Sequence, residues 1–195
     1  MAKSTHTTRM PEPIEMLIED HRKVQKMFKQ FEKLKDQDDE QSKRDLVEQA
    51  CAELKVHTTI EEEIFYPAAR EALEEGDLVA EAFVEHASAK DLIAKLEGME
   101  AGGEEYDATF TVLGEYVNHH IEEEQDQMFP KMKKGDVDWD ELAQQMQQRK
   151  QALQEEMGLG GGEDEQTEEE ERAGKPAARR AGHEAPRTRR PASGK

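Results

Sequence analysis

Apolar residues recur every three or four positions along five segments of this 195-residue chain. That spacing places them on one face of an α-helix, and no segment alternates with the period of two that indicates a β-strand. The pattern predicts helices over about 14–35, 42–74, 78–97, 106–132 and 139–157. Four long helices with short polar connections favour an all-α, antiparallel up-down four-helix bundle. We expect the fifth helix to pack outside the bundle or to extend beyond it.

The composition separates a folded part from a charged tail. Residues 158–195 hold eight acidic and eight basic residues and almost no apolar ones, so the net charge of −19 falls within 1–157. Such a segment buries too little apolar surface to offset the entropy lost on ordering. We therefore predict a disordered N-terminus over 1–12, a bundle over 13–134, an additional helix over 138–157 and a disordered tail over 158–195. The arginines between Arg179 and Arg190 would allow the tail to contact an acidic surface, with a solvated tail as the alternative.

Charge and hydropathy exclude several classes of partner. A body this acidic does not suit a phosphate backbone, which is bound by clustered lysine and arginine. No segment approaches the roughly 20 apolar residues of a membrane-spanning helix, and the N-terminal residues lack the apolar core of a signal peptide. Cys51 is the only cysteine, so no intramolecular disulfide can form. We expect a cytoplasmic protein that binds neither nucleic acid nor membrane.

One unusual phrase occurs twice. "HTTIEEEIFYP" runs from His57 to Pro67, and "HIEEEQDQMFP" runs from His120 to Pro130. Residues four apart share a helix face, so His57 projects with Glu61 and His120 projects with Glu124. Both pairs fall on the predicted apolar faces, where an unpaired carboxylate is costly to bury. A cation between them would explain why the faces carry these residues.

Two further histidines lie on the apolar faces of the other helices. His21 precedes His57 by 36 residues, and His86 precedes His120 by 34. Two stacked helical hairpins would bring four imidazoles and two carboxylates to one level. Imidazole and carboxylate ligands suit iron, zinc or manganese, and two carboxylates shared by two histidine pairs suit a dinuclear centre. The predicted metal ligands are therefore His21, His57, Glu61, His86, His120 and Glu124.

Some neighbouring residues compete for roles in this site. His119 and Glu123 also have the His-x-x-x-Glu spacing, but the position of the following proline selects His120. His119 is expected on the surface or behind the ligands. Glu62 and Glu123 are expected to be solvated, with additional ligation as the alternative. Tyr116 lies one turn before His120 and is expected to pack in the bundle, with a phenol near the metal as the alternative.

The chain resembles the hemerythrin-like (HHE) cation-binding domain family over about residues 13–132. The resemblance rests on "EDHRKVQKMF" around His21, "HTTIEEEIFYP", "VEHASAKDLI" around His86 and "HHIEEEQDQMFP". It implies a non-haem di-iron centre in a four-helix bundle, with an oxo or hydroxo bridge. His21 and His57 would bind one iron, His86 and His120 the other, and Glu61 and Glu124 would bridge them.

One position departs from the oxygen-carrying members of that family. Those proteins place a second histidine four residues after the third-helix histidine, whereas this chain has Lys90 there. One iron would lack that nitrogen ligand, and water, a carboxylate, a tyrosine or a substrate could fill the position. Lys90 itself is expected to extend to the surface. The departure favours chemistry with peroxide or nitric oxide over reversible oxygen carriage.

The family resemblance leaves three kinds of function open. The protein could hold O2 or another small ligand, it could consume peroxide or nitric oxide as an enzyme, or it could act as a metal- or redox-responsive regulator or iron-binding protein without turnover. All three would use the same six ligands. The expected partner in each case is a small ligand such as O2, NO or peroxide.

Overall fold

The computed structural model describes residues 10–37, 39–73 and 76–159, and all regular secondary structure in these ranges is helical. Seven α-helices and two π-helical turns follow one another. The elements are α1 (Glu12–Leu34), α2 (Glu40–Ile60), a first π turn (Glu61–Phe65), α3 (Tyr66–Ala72), α4 (Asp77–Glu97), α5 (Glu104–Glu123), a second π turn (Glu124–Met128), α6 (Phe129–Met132) and α7 (Trp139–Met157). None of the described helices has the length and apolar character needed to cross a membrane.

The prediction of an all-helical chain is confirmed, and the helix ends lie within a few residues of the predicted ones. The predicted fifth helix begins at Trp139 and ends at Met157, where Gly158 follows in the left-handed conformation at φ 72°. Glycine adopts this conformation without strain, which explains why the helix stops there. Most of the predicted N-terminal segment 1–12 and tail 158–195 lies outside the described residues.

Both repeated phrases form a π turn just before their proline. A proline inside an α-helix lacks the N–H that the helix needs, and its ring collides with the preceding turn. In the first phrase the helix widens ahead of Pro67, so the Tyr66 amide donates to the Glu61 carbonyl five residues back. In the second phrase the Phe129 amide donates to the Glu124 carbonyl in the same way. A local π turn thus accommodates the proline in each phrase without ending the helical run.

The bundle has two apolar clusters with a buried polar layer between them. One cluster comes from the parts of α1 and α4 that follow their histidines and the parts of α2 and α5 that precede theirs, and it includes Val24, Phe31, Leu54, Ile93 and Phe110. The other includes Ile14, Leu17, Phe65, Val79 and Phe129. The layer in between holds two glutamates and four histidines that are almost fully buried: Glu61, Glu124, His21, His57, His86 and His120.

The helices pack in adjacent pairs around this layer. Helix α1 packs against α2 and α5, and α4 packs against α5 and α2. Helix α7 lies against α1, α2 and the first π turn, and its buried side chains are Leu142, Ala143, Met146 and Leu153. Of the two predicted placements for the fifth helix, the described residues therefore show packing against the outside of the bundle.

Candidate metal centre

The six residues predicted as ligands converge in the polar layer. Helices α1, α2, α4 and α5 contribute one histidine each, and each π turn begins with one of the glutamates. Each of the six is at most 6% exposed. The structure thus brings together His21, His57, Glu61, His86, His120 and Glu124.

The histidines form two pairs, one from each hairpin. The Nε2 atoms of His21 and His57 lie 3.1 Å apart, and those of His86 and His120 also lie 3.1 Å apart. Two ligands bound at right angles to one metal ion, each about 2.1 Å from it, would lie about 3 Å apart. The separation within each pair therefore suits a shared ion.

Each glutamate reaches one histidine of each pair. Glu61 Oε2 lies 3.2 Å from His57 Nε2 and 3.4 Å from His86 Nε2. Glu124 Oε2 lies 3.3 Å from His21 Nε2 and 3.5 Å from His120 Nε2. Both carboxylates thus lie between the two histidine pairs, which is where a bridging ligand of a dinuclear centre must lie.

Several buried oxygen atoms of this layer have no hydrogen-bond partner. Within the described residues these include both carboxylate oxygens of Glu61 and Oε2 of Glu124, because their close approaches to histidine do not form hydrogen bonds. Leaving a buried polar group unsatisfied costs roughly 1–3 kcal/mol, and more when the group is charged. A cation would satisfy these oxygens, and imidazole with carboxylate suits iron, manganese or zinc. The residues therefore fit a metal site.

The electrostatics of the layer also indicate a deficit of positive charge. Burial, together with the neighbouring Glu124 carboxylate, raises the pKa of Glu61 well above its usual value. Burial, and after it the nearby His120, lowers the pKa of His86 to about 2. For Glu124, burial favours a higher pKa, but His120 and His21 outweigh it and the pKa is lowered. A bound cation would allow both carboxylates to be ionised beside neutral imidazoles.

Outer groups orient the imidazole rings. His86 Nδ1 donates to Glu62 Oε1 at 3.0 Å, and His120 Nδ1 donates to Glu85 Oε2 at 2.7 Å. An Nδ1–H held by a carboxylate leaves the Nε2 lone pair facing the layer, as metal binding requires. The amide nitrogen of Gln125 lies 3.0 Å from His21 Nδ1. Sequence reasoning missed Glu85, although its place directly before His86 was a usable signal.

The main residue missing from the sequence prediction is Tyr66. Its hydroxyl donates to Glu124 Oε1 at 3.0 Å and lies 3.1 Å from His86 Nε2 and 3.4 Å from His120 Nε2. The signal was its position before the proline of the first phrase, where the second phrase has Phe129. Tyr116, the tyrosine considered from the sequence, is 51% exposed.

The other residues considered as ligands, Glu62 and His119, and the nearby Lys90 lie behind the six converging residues or at the surface. Lys90 extends to the surface as predicted, but its amino group binds both oxygens of Glu62 at 2.6 Å. The expectation that Glu62 is simply solvated is therefore wrong, because it links Lys90 to His86. His119 is exposed and lies 3.6 Å from Glu123 and 3.9 Å from Glu85 at the surface.

A small cavity adjoins the histidines. Its volume is ≈20 Å³, which holds about one molecule of water size. The four histidine rings form one part of its lining, and Val24, Leu54, Ala89, Val117 and Ile121 supply most of the apolar part. A larger cleft of ≈420 Å³ lies beside Cys51 and Tyr106 but contains none of the six residues.

Comparison with protein families agrees with this geometry. The family described as Hemerythrin HHE cation binding domain matches residues 12–132. The chain belongs to the hemerythrin HHE cation-binding family. All six converging residues and Tyr66 lie within the matched range, whereas α7 lies outside it. No curated protein and no solved structure matches the chain. Membership makes this hemerythrin-type domain a cation-binding domain.

Proposed function

We propose that this chain is a non-haem di-iron protein that binds and reacts with O2, peroxide or NO. The observation that carries the proposal is the position of Glu61 and Glu124, each of which reaches one histidine of each pair. A single metal ion would require the carboxylates to approach only one histidine pair. Two carboxylates that both reach across two histidine pairs support a pair of ions.

The assignment of ligands follows the same contacts. His21 and His57 would hold one iron, His86 and His120 would hold the other, and the two glutamates would be shared between them. The apolar clusters on either side support the predicted antiparallel four-helix arrangement over 13–134, because the chain runs between the clusters in opposite directions in consecutive long helices. Such a bundle holds all six groups on rigid helices.

When bound, a di-iron(II) pair supplies electrons and Lewis acidity to a small ligand. The protein supplies the surroundings. The apolar lining of the ≈20 Å³ cavity limits access to molecules of water or diatomic size. Glu85 and Glu62 keep the Nδ1 protons of His120 and His86 on the outer side of the rings. The Tyr66 hydroxyl donates its proton in a hydrogen bond to Glu124. From this position it could donate a proton to a small oxygen ligand as that ligand is reduced.

Two features favour reaction over reversible carriage. Lys90 stands where the oxygen carriers have an additional histidine, and its amino group is bound by Glu62 and adds no ligand. The hydroxyl of Tyr66 lies beside the His86–His120 pair on the same half of the site. An iron held by His86 and His120 would therefore receive no ligand from position 90 and would have the Tyr66 hydroxyl beside it.

Stopped-flow mixing separates these functions. Reduced, iron-loaded protein would be mixed with O2, and in parallel runs with H2O2 or NO, while the visible spectrum and the concentration of each reagent are recorded. We expect O2 or peroxide to be consumed and the spectrum to move to an oxidised form that removal of O2 does not reverse. An oxygenated spectrum that reverses over many cycles without peroxide consumption would establish a carrier instead. Lys90→His should shift the protein toward carrier behaviour, and Lys90→Met is its control.

A further inference from the structure

The two hairpins share an outer pattern that the family match does not describe. In each hairpin a carboxylate directly precedes the first histidine and faces the Nδ1 atom of the second. Glu85 precedes His86 and accepts from His120 at 2.7 Å. Asp20 precedes His21, and its Oδ2 lies 3.7 Å from His57 Nδ1. The two positions correspond, but the groups that hold these carboxylates differ.

The Asp20 carboxylate is held by helix α7. Lys150 Nζ donates to Asp20 Oδ1 at 2.5 Å, and both side chains are largely buried, at 20% and 11% exposed. Glu85 instead has the exposed His119 as its second neighbour, at 3.9 Å. Helix α7 follows the family-matched range 12–132, so Lys150 comes from outside the hemerythrin-type domain.

The second oxygen of Asp20 points inward. Within the described part of the chain, Asp20 Oδ2 and His57 Nδ1 are both buried without a hydrogen-bond partner, and each is the other's polar neighbour. A carboxylate in such a place is costly unless a cation compensates it. Lys150 supplies that charge and fixes Oδ1, which keeps Oδ2 turned toward His57.

We propose that Lys150 is a positioning residue for the metal centre. Through Asp20 it holds the His57 ring with Nε2 toward the metal, so that α7 completes the half of the site formed by His21 and His57. The inference rests on the proposed binding of two metal ions. Helix α7 would then orient a metal ligand in addition to covering apolar surface of the bundle.

The test compares neighbouring residues on the same helix. Arg149 makes an exposed ion pair with Glu63, with bonds of 2.6 and 3.1 Å, so Arg149→Met removes a cation next to Lys150 without touching Asp20. The apo forms of the full-length wild type, Lys150→Met, Arg149→Met and Lys150→Arg would be titrated anaerobically with Co²⁺ and with Fe²⁺. Absorption spectra of bound Co²⁺ report the ligand geometry independently of any activity.

Lys150→Met should weaken one of the two binding steps roughly 10- to 100-fold and change the Co²⁺ spectrum of that step, as loss of an outer partner of a histidine ligand does. Arg149→Met should leave both steps unchanged, and Lys150→Arg should restore most of the affinity. The direction of the change in metal affinity separates positioning from a simple charge effect. Removing the positive charge of Lys150 would by itself raise the affinity for a cation. Unchanged or increased affinity in a folded Lys150→Met protein would overturn the proposal.

Asp20→Asn keeps the test decisive if Lys150→Met folds poorly. It preserves the size of the side chain and should weaken one binding step, so a folded Asp20→Asn protein that binds both ions as tightly as the wild type would overturn the proposal. Where Lys150→Met does fold, adding it to Asp20→Asn should cause little further loss, since both act through one chain of contacts. Additive losses would contradict the proposal. A wild type that binds no metal would instead refute the proposed function, so the two failures are distinguishable.

Discussion

Replacing Glu61 by methionine should stabilise the metal-free protein and abolish its stabilisation by metal. Glu61 is fully buried, and within the described residues neither of its carboxylate oxygens has a hydrogen-bond partner. Methionine has a similar length and no polar oxygen, so it can fill the position without an unsatisfied group. The change also removes the repulsion between Glu61 and Glu124 that contributes to the raised pKa of Glu61.

The expected magnitude follows from the cost of that burial. An unsatisfied buried polar group costs roughly 1–3 kcal/mol, so the apo form of Glu61→Met should gain about that much free energy of unfolding. Metal binding to the wild type should add about 2.7 kcal/mol per site when free metal is at 100 times its Kd. The variant lacks a bridging ligand and should gain far less. The order of stability of the two proteins should therefore reverse between the apo and metal-loaded states.

Urea unfolding followed by circular dichroism measures both states, first with a chelator and then with excess Fe²⁺ under anaerobic conditions. Glu53→Met is the matched control, because Glu53 is a buried glutamate on α2 that pairs with Lys23 at 2.9 Å. That control should lose a similar amount of stability in both states, because its ion pair lies outside the six proposed ligands. An apo Glu61→Met protein that is less stable than the apo wild type would refute the argument that the polar layer is built for a cation.

Three further predictions concern single side chains. Tyr66→Phe should keep two metal ions, since Phe129 shows that the repeated phrase accepts a phenylalanine there, but it should change the visible spectrum of the iron-loaded protein; loss of metal instead would make Tyr66 essential for binding. Gly114→Ala should destabilise the protein by about 1–3 kcal/mol in thermal or urea unfolding, because its new Cβ would lie 2.9 Å from a ring carbon of Phe28; an unchanged stability would contradict that packing. Burial raises the pKa of Cys51 to about 12, so iodoacetamide should label the native protein slowly. The labelling rate should rise about tenfold per pH unit from pH 7 to 10, and labelling at the rate of a free thiol would contradict this prediction.

The sequence predicted the features that depend on periodicity. Apolar spacing located the five helical stretches, and the same spacing placed the six predicted ligands on inward faces, where the structure brings them together. The choice of His120 over His119 from the distance to Pro130 agrees with their burial at 6% and 65% exposed. These features are local, since each requires only the position of a residue along one helix.

The features that the sequence analysis missed depend on local departures from the α-helix or on contacts between helices. Tyr66 enters the site because the π turn before Pro67 widens the helix, and periodicity of 3.6 residues does not anticipate that turn. The role of Glu62 depends on α4 lying close enough for its carboxylate to meet His86 and Lys90. The contact between Lys150 and Asp20 joins residues 130 positions apart, so no pattern within either helix could reveal it.

Iron content per chain decides whether the polar layer holds a pair of metal ions. The wild type and the Glu61→Ala, Glu124→Ala double variant would be reconstituted anaerobically with Fe²⁺, freed of unbound metal and analysed for iron per chain, with helicity checked in the same samples. We expect about two iron ions per wild-type chain, two distinguishable iron signals by Mössbauer spectroscopy, and a sharp loss of iron in a double variant that remains helical. Full iron loading of the double variant, or a folded wild type that binds no iron, would contradict it.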